Sequence, residues 1–344
     1  MIRLAPLLAP LALFWALPGT DKAERPLAAV ASADTVTEWT VPWGGRPRDP
    51  HADRQGRIWF VGQAGNYIAV LDPATGQFRR FEIEEGTHPH NLVVDTKGMV
   101  WFTGNRNGRL VRMDPESGAL TNYLMPDSTV RDPHTMIFDD NGNAWFTAQQ
   151  SNAVGRLDAA TGDIRLWRTG TRTRPYGIVI GPDGRVWFDL FGTNRIGMVD
   201  PDSMTVREFP LPEAQSRPRR IAVTDDGMVW YGDYSRGFLG RLDPRTGAVK
   251  EYALPGGQRS LPYAMSLDGQ GRVWVAETGP RPNRLVAFDP RTEQFVDTVE
   301  VSGGEEPNTI RHMTWDDRTG AIWFGTDRST IGRLVVSRRD VTMR

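Results

Sequence analysis

Trp59, Trp101, Trp145, Trp187, Trp230, Trp274 and Trp323 recur at spacings of 42, 44, 42, 43, 44 and 49 residues. Each sits in a short β-prone run (RIWFVG, MVWFTG, NAWFTA, RVWFDL, MVWYGD, RVWVAE, AIWFGT) that follows a Gly-containing turn. That is hairpin chemistry. Most copies carry a second turn of the LDPATG type, so one repeat is four short strands. Such a unit cannot bury both faces alone, and copies of this length stack as propeller blades. The fold class is therefore all-β, a seven-bladed β-propeller. A two-sheet sandwich would explain short strands but not the tryptophan period, and an eighth blade would need a repeat that the chain lacks. The tryptophans are read as packing between neighbouring sheets, where a large aromatic contributes most.

The chain ends fit a closed ring. After TIGRLVV the seventh copy has no fourth strand, only a polar tail (338–344). TEWTVP (37–42) has the same form as the outer strands REFPLP (207–212) and KEYALP (250–255), so the N-terminal strand is expected to complete the last blade. The propeller is placed at 34–337. Before it, Arg3 precedes an apolar stretch (4–17) with the charge and length of a secretory core, and Ala31-Ser32-Ala33 is a small-residue cleavage site. Residues 1–33 are read as a signal peptide, giving a periplasmic or secreted protein; an uncleaved anchor is the alternative. With no cysteine, disulfides, thiolate metal sites and a Cys nucleophile are excluded. A formal charge of −1 with no basic block argues against nucleic acid and, after cleavage, against membrane binding. A small-molecule or peptide partner and a monomeric state are the expectation.

Strand direction places the start of the first strand and the end of the second at one face of the disc, converging on the central channel. Eleven residues before each Trp stand Arg48, His90, His134, Tyr176, Arg219, Tyr263 and His312, a ring with no aliphatic member that takes three of the five histidines. This ring is expected to contact a ligand; capping of the inner strand by any polar side chain is the plainer alternative. Three residues after each Trp come Gly62, Gly104, Ala148, Leu190, Asp233, Glu277 and Thr326, with Asp189 and Asp327 one residue out of register. Two or three of these carboxylates at one mouth could hold Mg²⁺ or Ca²⁺, or equally could pair with Arg48 and Arg219. Those two arginines suit a ligand carboxylate or phosphate. His51 and His88 fall outside the ring, His88 in a loop at the same mouth.

The repeated P-[HY]-x-[IM]…DG-x-[VI]-W-F pattern, fullest in RPYGIVIGPDGRVWFDLFGTNRIGMVDP (174–201), resembles the virginiamycin B lyase (streptogramin lyase) family over all seven blades. The resemblance implies elimination in a cyclic depsipeptide: a histidine takes the proton alpha to the ester carbonyl, and a glutamate-held Mg²⁺ polarises that carbonyl. His312 matches the base that opens the last blade. Thr326, with Asp327 beside it, stands where the metal glutamate is expected, and Tyr263 where a second histidine is expected. Glu277 follows its Trp as the pattern asks, on the neighbouring blade. The implied catalytic pair is thus His312 and Glu277, and the implied Mg²⁺ set is Glu277, Asp233 and Asp327. A non-catalytic propeller that binds a ligand or protein, and a metal-dependent lactonase, are the other readings.

Overall fold

The structure, a computed structural model, describes residues 35–301 and 308–337. The expected signal peptide (1–33) and polar tail (338–344) lie outside them, as do residues 34 and 302–307 of the expected propeller. Seven four-stranded antiparallel sheets form the blades. Their inner strands are Pro47–Ala52, Pro89–Val94, Pro133–Phe138, Pro175–Ile180, Pro218–Val223, Pro262–Leu267 and Ile310–Asp316. Each inner strand packs on those of the blades before and after it, and the seventh packs on the first. The ring is closed by Thr35–Thr40, which pairs antiparallel with Thr330–Val335 and sets Trp39 opposite Ile331. Among the described residues no helix is long and apolar enough to cross a membrane.

Alternation along the second strand of each blade supplies the glue between blades, because successive side chains point into opposite seams. Trp59 joins Leu92, Phe102 and Met113 of blade 2, while the next residue, Phe60, joins Trp323 and Ile331 of blade 7. Emptying one such position by Phe→Ala or Trp→Ala costs about 3–5 kcal/mol. The aromatic after the Trp also needs a gap on the third strand. Phe188 lies over Gly197, where a Cβ would come within 2.2 Å of the ring, so this glycine is fixed by packing.

A single carboxylate ties each of four turns to its tryptophan. Asp268 accepts the backbone N–H groups of Gln270 (2.8 Å) and Arg272 (3.1 Å), the Arg272 Nε–H (2.6 Å) and the Trp274 indole N–H (2.8 Å). Asp53, Asp95 and Asp139 do the same for Trp59, Trp101 and Trp145, each from six residues upstream. In blade 5 the hydroxyl of Thr224 takes this place at 3.2 Å from Trp230 Nε1. Charge-assisted bonds are worth more than neutral ones. Asp268→Ala is therefore expected to destabilise the protein by about 3 kcal/mol and Thr224→Ala by about 1 kcal/mol in urea unfolding. Equal losses would contradict this account of the turn.

Candidate functional site: the central channel

Sheet faces in a propeller point into the seams, so only a break in the inner strand turns side chains toward the axis. Every inner strand has that break. Pro89 pairs with Gly104, the register then slips, and pairing resumes at Leu92 and Phe102. The slip recurs in all seven blades and brings two successive residues to the channel, although in blade 1 Arg48 still pairs with Val61 and the slip falls one residue later. The first of these is Arg48, His90, His134, Tyr176, Arg219, Tyr263 and, in blade 7, Arg311. Counting back from Trp323 gives His312, but strand pairing puts His312 one step further along. The reason is a longer turn: six residues separate Trp315 from Ile322, where five separate Val94 from Val100.

The upper ring packs on itself. His90 and His134 stack with centroids 3.6 Å apart, and His134 lies 4.2 Å from the Tyr176 ring. The hydroxyls of Tyr176 and Tyr263 share a hydrogen bond. Arg219 projects into an aromatic box, its guanidinium carbon 3.7 Å from the Tyr263 centroid, 4.3 Å from Tyr234, 4.7 Å from Phe191 and 5.0 Å from Tyr176. Arg311 donates to both oxygens of Asp327 (3.0 and 2.6 Å) and, from Nη1, to the Tyr263 hydroxyl (3.4 Å). Arg48, His90, His134, Tyr176 and Tyr263 are buried, whereas Arg219 and Arg311 are half-buried.

Charge state follows from these contacts. Burial, helped by Arg48 for His90 and by Arg220 for His134, pushes both imidazoles well below their usual range, so they are neutral at pH 7. Burial alone would raise Tyr263. Arg219, Arg48 and Arg311 outweigh it and draw that phenol down to about 7, while Tyr176 beside it is raised, chiefly by burial. The pair therefore gives up one proton at Tyr263 in a field of guanidinium groups.

Beneath the ring lies a belt of which sequence reasoning singled out only His312, made of the next residue along each inner strand: Asp49, Asn91, Thr135, Arg220 and His312, with Gly177 and Ala264 in the other two blades. Arg48 Nε donates to Asp49 (2.8 Å), and Asn91 Nδ2 donates to the other Asp49 oxygen (2.8 Å). Burial raises Asp49, but Arg48, His312 and Arg220 hold it below the usual carboxylate range. Arg220 crosses the channel from blade 5, donating to Thr135 Oγ1 in blade 3 (3.1 Å) and to the Arg311 carbonyl in blade 7 (3.1 Å). The signal was available in the repeat itself, since the residue after each counted ring position is polar in four blades (Asp49, Asn91, Thr135 and Arg220).

The expected metal carboxylates are not brought together. Glu277 faces a seam, where it accepts Gly256 N–H (2.7 Å), Ser260 Oγ–H (2.9 Å) and Arg284 Nη2 (2.5 Å). Asp233 accepts the Arg217 backbone N–H (3.0 Å) and Arg236 Nη1 (3.2 Å). Asp327 stays at the mouth under Arg311, with Arg46 at 3.6 Å. Among the described residues no three His, Cys, Asp or Glu side chains cluster as a metal site. Each acid is committed to cationic or backbone donors, so this donor set does not fit Mg²⁺. Of the other two histidines, His51 lines the lower channel and His88 is half-buried in the loop before blade 2.

Asp189 holds a different post. Thr103 and Thr147 each accept a backbone N–H from their inner strand and donate to a ring-residue carbonyl of the next blade, His134 or Tyr176. Asp189 occupies the equivalent place, accepting Gly177 N–H at 3.0 Å, with its other oxygen buried and unpartnered. Burial pushes its carboxyl well above the usual range. Protonated, it can replace a threonine hydroxyl. A folded-state pKa above the unfolded value means stability is fully present below about pH 4 and is lost as pH rises toward the folded pKa. Asp189→Asn should remove that decline, so wild type and variant converge at acid pH and separate as pH rises in thermal unfolding. Parallel profiles would contradict a protonated Asp189.

Comparison with known proteins agrees with this architecture. The model of the Virginiamycin B lyase family matches residues 14–285, ending before the inner strand of blade 7. No curated protein matches the chain by sequence. A solved streptogramin B lyase is 23% identical, with a TM-score of 0.78 over 89% of this chain and 98% of that one. A catalytically inactive virginiamycin B lyase from Staphylococcus aureus with quinupristin is 22% identical, with a TM-score of 0.78 over 88% and 100%. The extracellular domain of a one-component system from B. thetaiotaomicron is 16% identical, with a TM-score of 0.65 over 87% of this chain and 42% of that one. At these identities the solved structures establish the propeller fold.

Proposed function

Since the chain belongs to the virginiamycin B lyase family, we propose that it is an exported propeller that binds an anionic or carbonyl-bearing small ligand at the mouth of its channel. The observation that carries this reading is the pair of half-buried guanidinium groups at Tyr263, Arg219 over its ring and Arg311 at its hydroxyl. Arg219 Nε is buried without a hydrogen-bond partner, and its neighbours are aromatic faces that leave its charge for a ligand. Guanidinium groups suit carboxylate or carbonyl oxygens. Export is supported by the charged and apolar N-terminal segment. Binding of citrate, succinate or quinupristin is expected to raise the melting temperature of the wild type but not that of Arg219→Gln/Arg311→Gln. Equal shifts in both proteins would place the ligand elsewhere.

A second reading, eliminative C–O lyase chemistry at the same mouth, is favoured by the low pKa of Tyr263. Its phenolate would take the proton alpha to a ligand carbonyl, the C–H electrons would form the C=C bond, and the C–O electrons would leave with the departing oxygen. Charge developing on the carbonyl oxygen would meet Arg219 and Arg311. His312 lies a step below, in the belt, so proton abstraction at the mouth falls to Tyr263. No step is routed through Mg²⁺, because Glu277, Asp233 and Asp327 are held by other partners.

Elimination opens a cyclic ester without changing its mass, whereas hydrolysis adds one water. Quinupristin incubated with the protein is expected to change chromatographic retention at unchanged mass. The rate should rise between about pH 6 and about pH 8 as Tyr263 ionises, and Tyr263→Phe should abolish it. A product heavier by one water would support lactonase chemistry instead. Undiminished turnover in Tyr263→Phe would refute the base.

A further inference from the structure

The opposite end of the channel is hollow. Below the belt the inner strands enclose a cavity of about 590 Å³ that reaches the hairpin turns at Asp95 and Thr96. Its size is that of a small-molecule site. The wall is mainly apolar on one side, where Val93, Ile137, Val179 and Ala222 stand, and carries His51, Ser266 and Thr314 at the same level in the other three blades; Asn91, Arg220 and His312 lie at the inner end.

The groups at that end are unequally satisfied. Asn91 is used fully, donating to Asp49 and accepting Met136 N–H (2.9 Å). Burial draws both His312 and His51 down to about 4, so each is neutral at pH 7. Asp49, which Arg220 helps to hold below the usual range, is bridged to Arg48 at 2.8 Å. Arg220 is different: 4% exposed, it spends Nη1 and Nη2 on a neutral hydroxyl and a carbonyl, and its Nε has no partner. A buried guanidinium with no directly bonded carboxylate can take a negatively charged acceptor.

We propose that this lower cavity is a second ligand site, which takes an apolar carboxylate with its hydrocarbon body against Val93, Ile137, Val179 and Ala222 and its head at Arg220. One guanidinium carries one positive charge, which matches a single negative charge on the ligand. A dianion would bring charge that nothing else in this apolar chamber offsets. The site lies on the far side of the Arg220 crossbar from the mouth, so it stands independently of the function proposed there.

The test is equilibrium dialysis of the full chain with decanoate and, separately, with 1-decanol. Saturable binding of decanoate is expected, about tenfold or more tighter than that of 1-decanol. Arg220→Gln should erase the difference. Because that variant removes a crossbar and its folding is at stake, Val93→Trp, at a half-buried position on the cavity wall, is the second arm. It should abolish binding of both compounds, while Arg219→Gln at the mouth should leave decanoate binding intact. No saturable binding, equal affinity for decanoate and 1-decanol in the wild type, or decanoate binding unaffected by Val93→Trp would each overturn the proposal.

Discussion

Seven inner strands converge on one axis, and each breaks its ladder there, so the centre of the disc must be filled by side chains whose polar groups satisfy one another. Arg220 is the member on which that arrangement turns. Reaching from blade 5 to Thr135 in blade 3 and to the Arg311 carbonyl in blade 7, it links three blades across the channel. Asp49 and Asn91 extend the same layer around the other side, under Arg48. A buried network of this kind ties the blades together, and removing one partner leaves the others exposed to the cost of desolvation.

That layer divides the channel chemically. Above it, three arginines surround a tyrosine pair, and two neutral histidines stack beside them. Below it, a mainly apolar hollow with His51, Ser266 and Thr314 on one side meets one underused guanidinium. The upper end therefore favours oxygen-rich anions or carbonyls, and the lower end favours an apolar chain with a charged head. Arg48 and Arg311 have carboxylate neighbours in Asp49 and Asp327, whereas Arg219 has aromatic faces and Arg220 has neutral oxygens. The two arginines with no direct ion pair face opposite ends, which is why one channel offers two electrostatically distinct sites.

The architecture was legible because the Trp period is long-range and repeated: seven copies require seven seams, and the form of TEWTVP identified the strand that closes the ring. The Asp–Trp tie six residues apart was equally present in the letters, but only side-chain geometry shows that the turn aspartate reaches the indole. At the site, six of seven ring positions follow from counting, and the seventh fails because one extra turn residue shifts Arg311 into place and His312 below it. Glu277 and Asp233 were legible as acids but not as partners of Arg284 and Arg236. A residue on a sheet face points into a seam, whatever its distance along the chain from the channel.

The claim that most of this rests on is that Arg220 bridges blades across the channel. A double-mutant cycle between Thr135→Val and Arg220→Met, read by urea unfolding, measures it directly, since the two residues are 85 apart in sequence. The account predicts a coupling energy of about 1–3 kcal/mol, as for a buried hydrogen bond to a charged group. Strictly additive losses would contradict it and leave the two ends of the channel undivided.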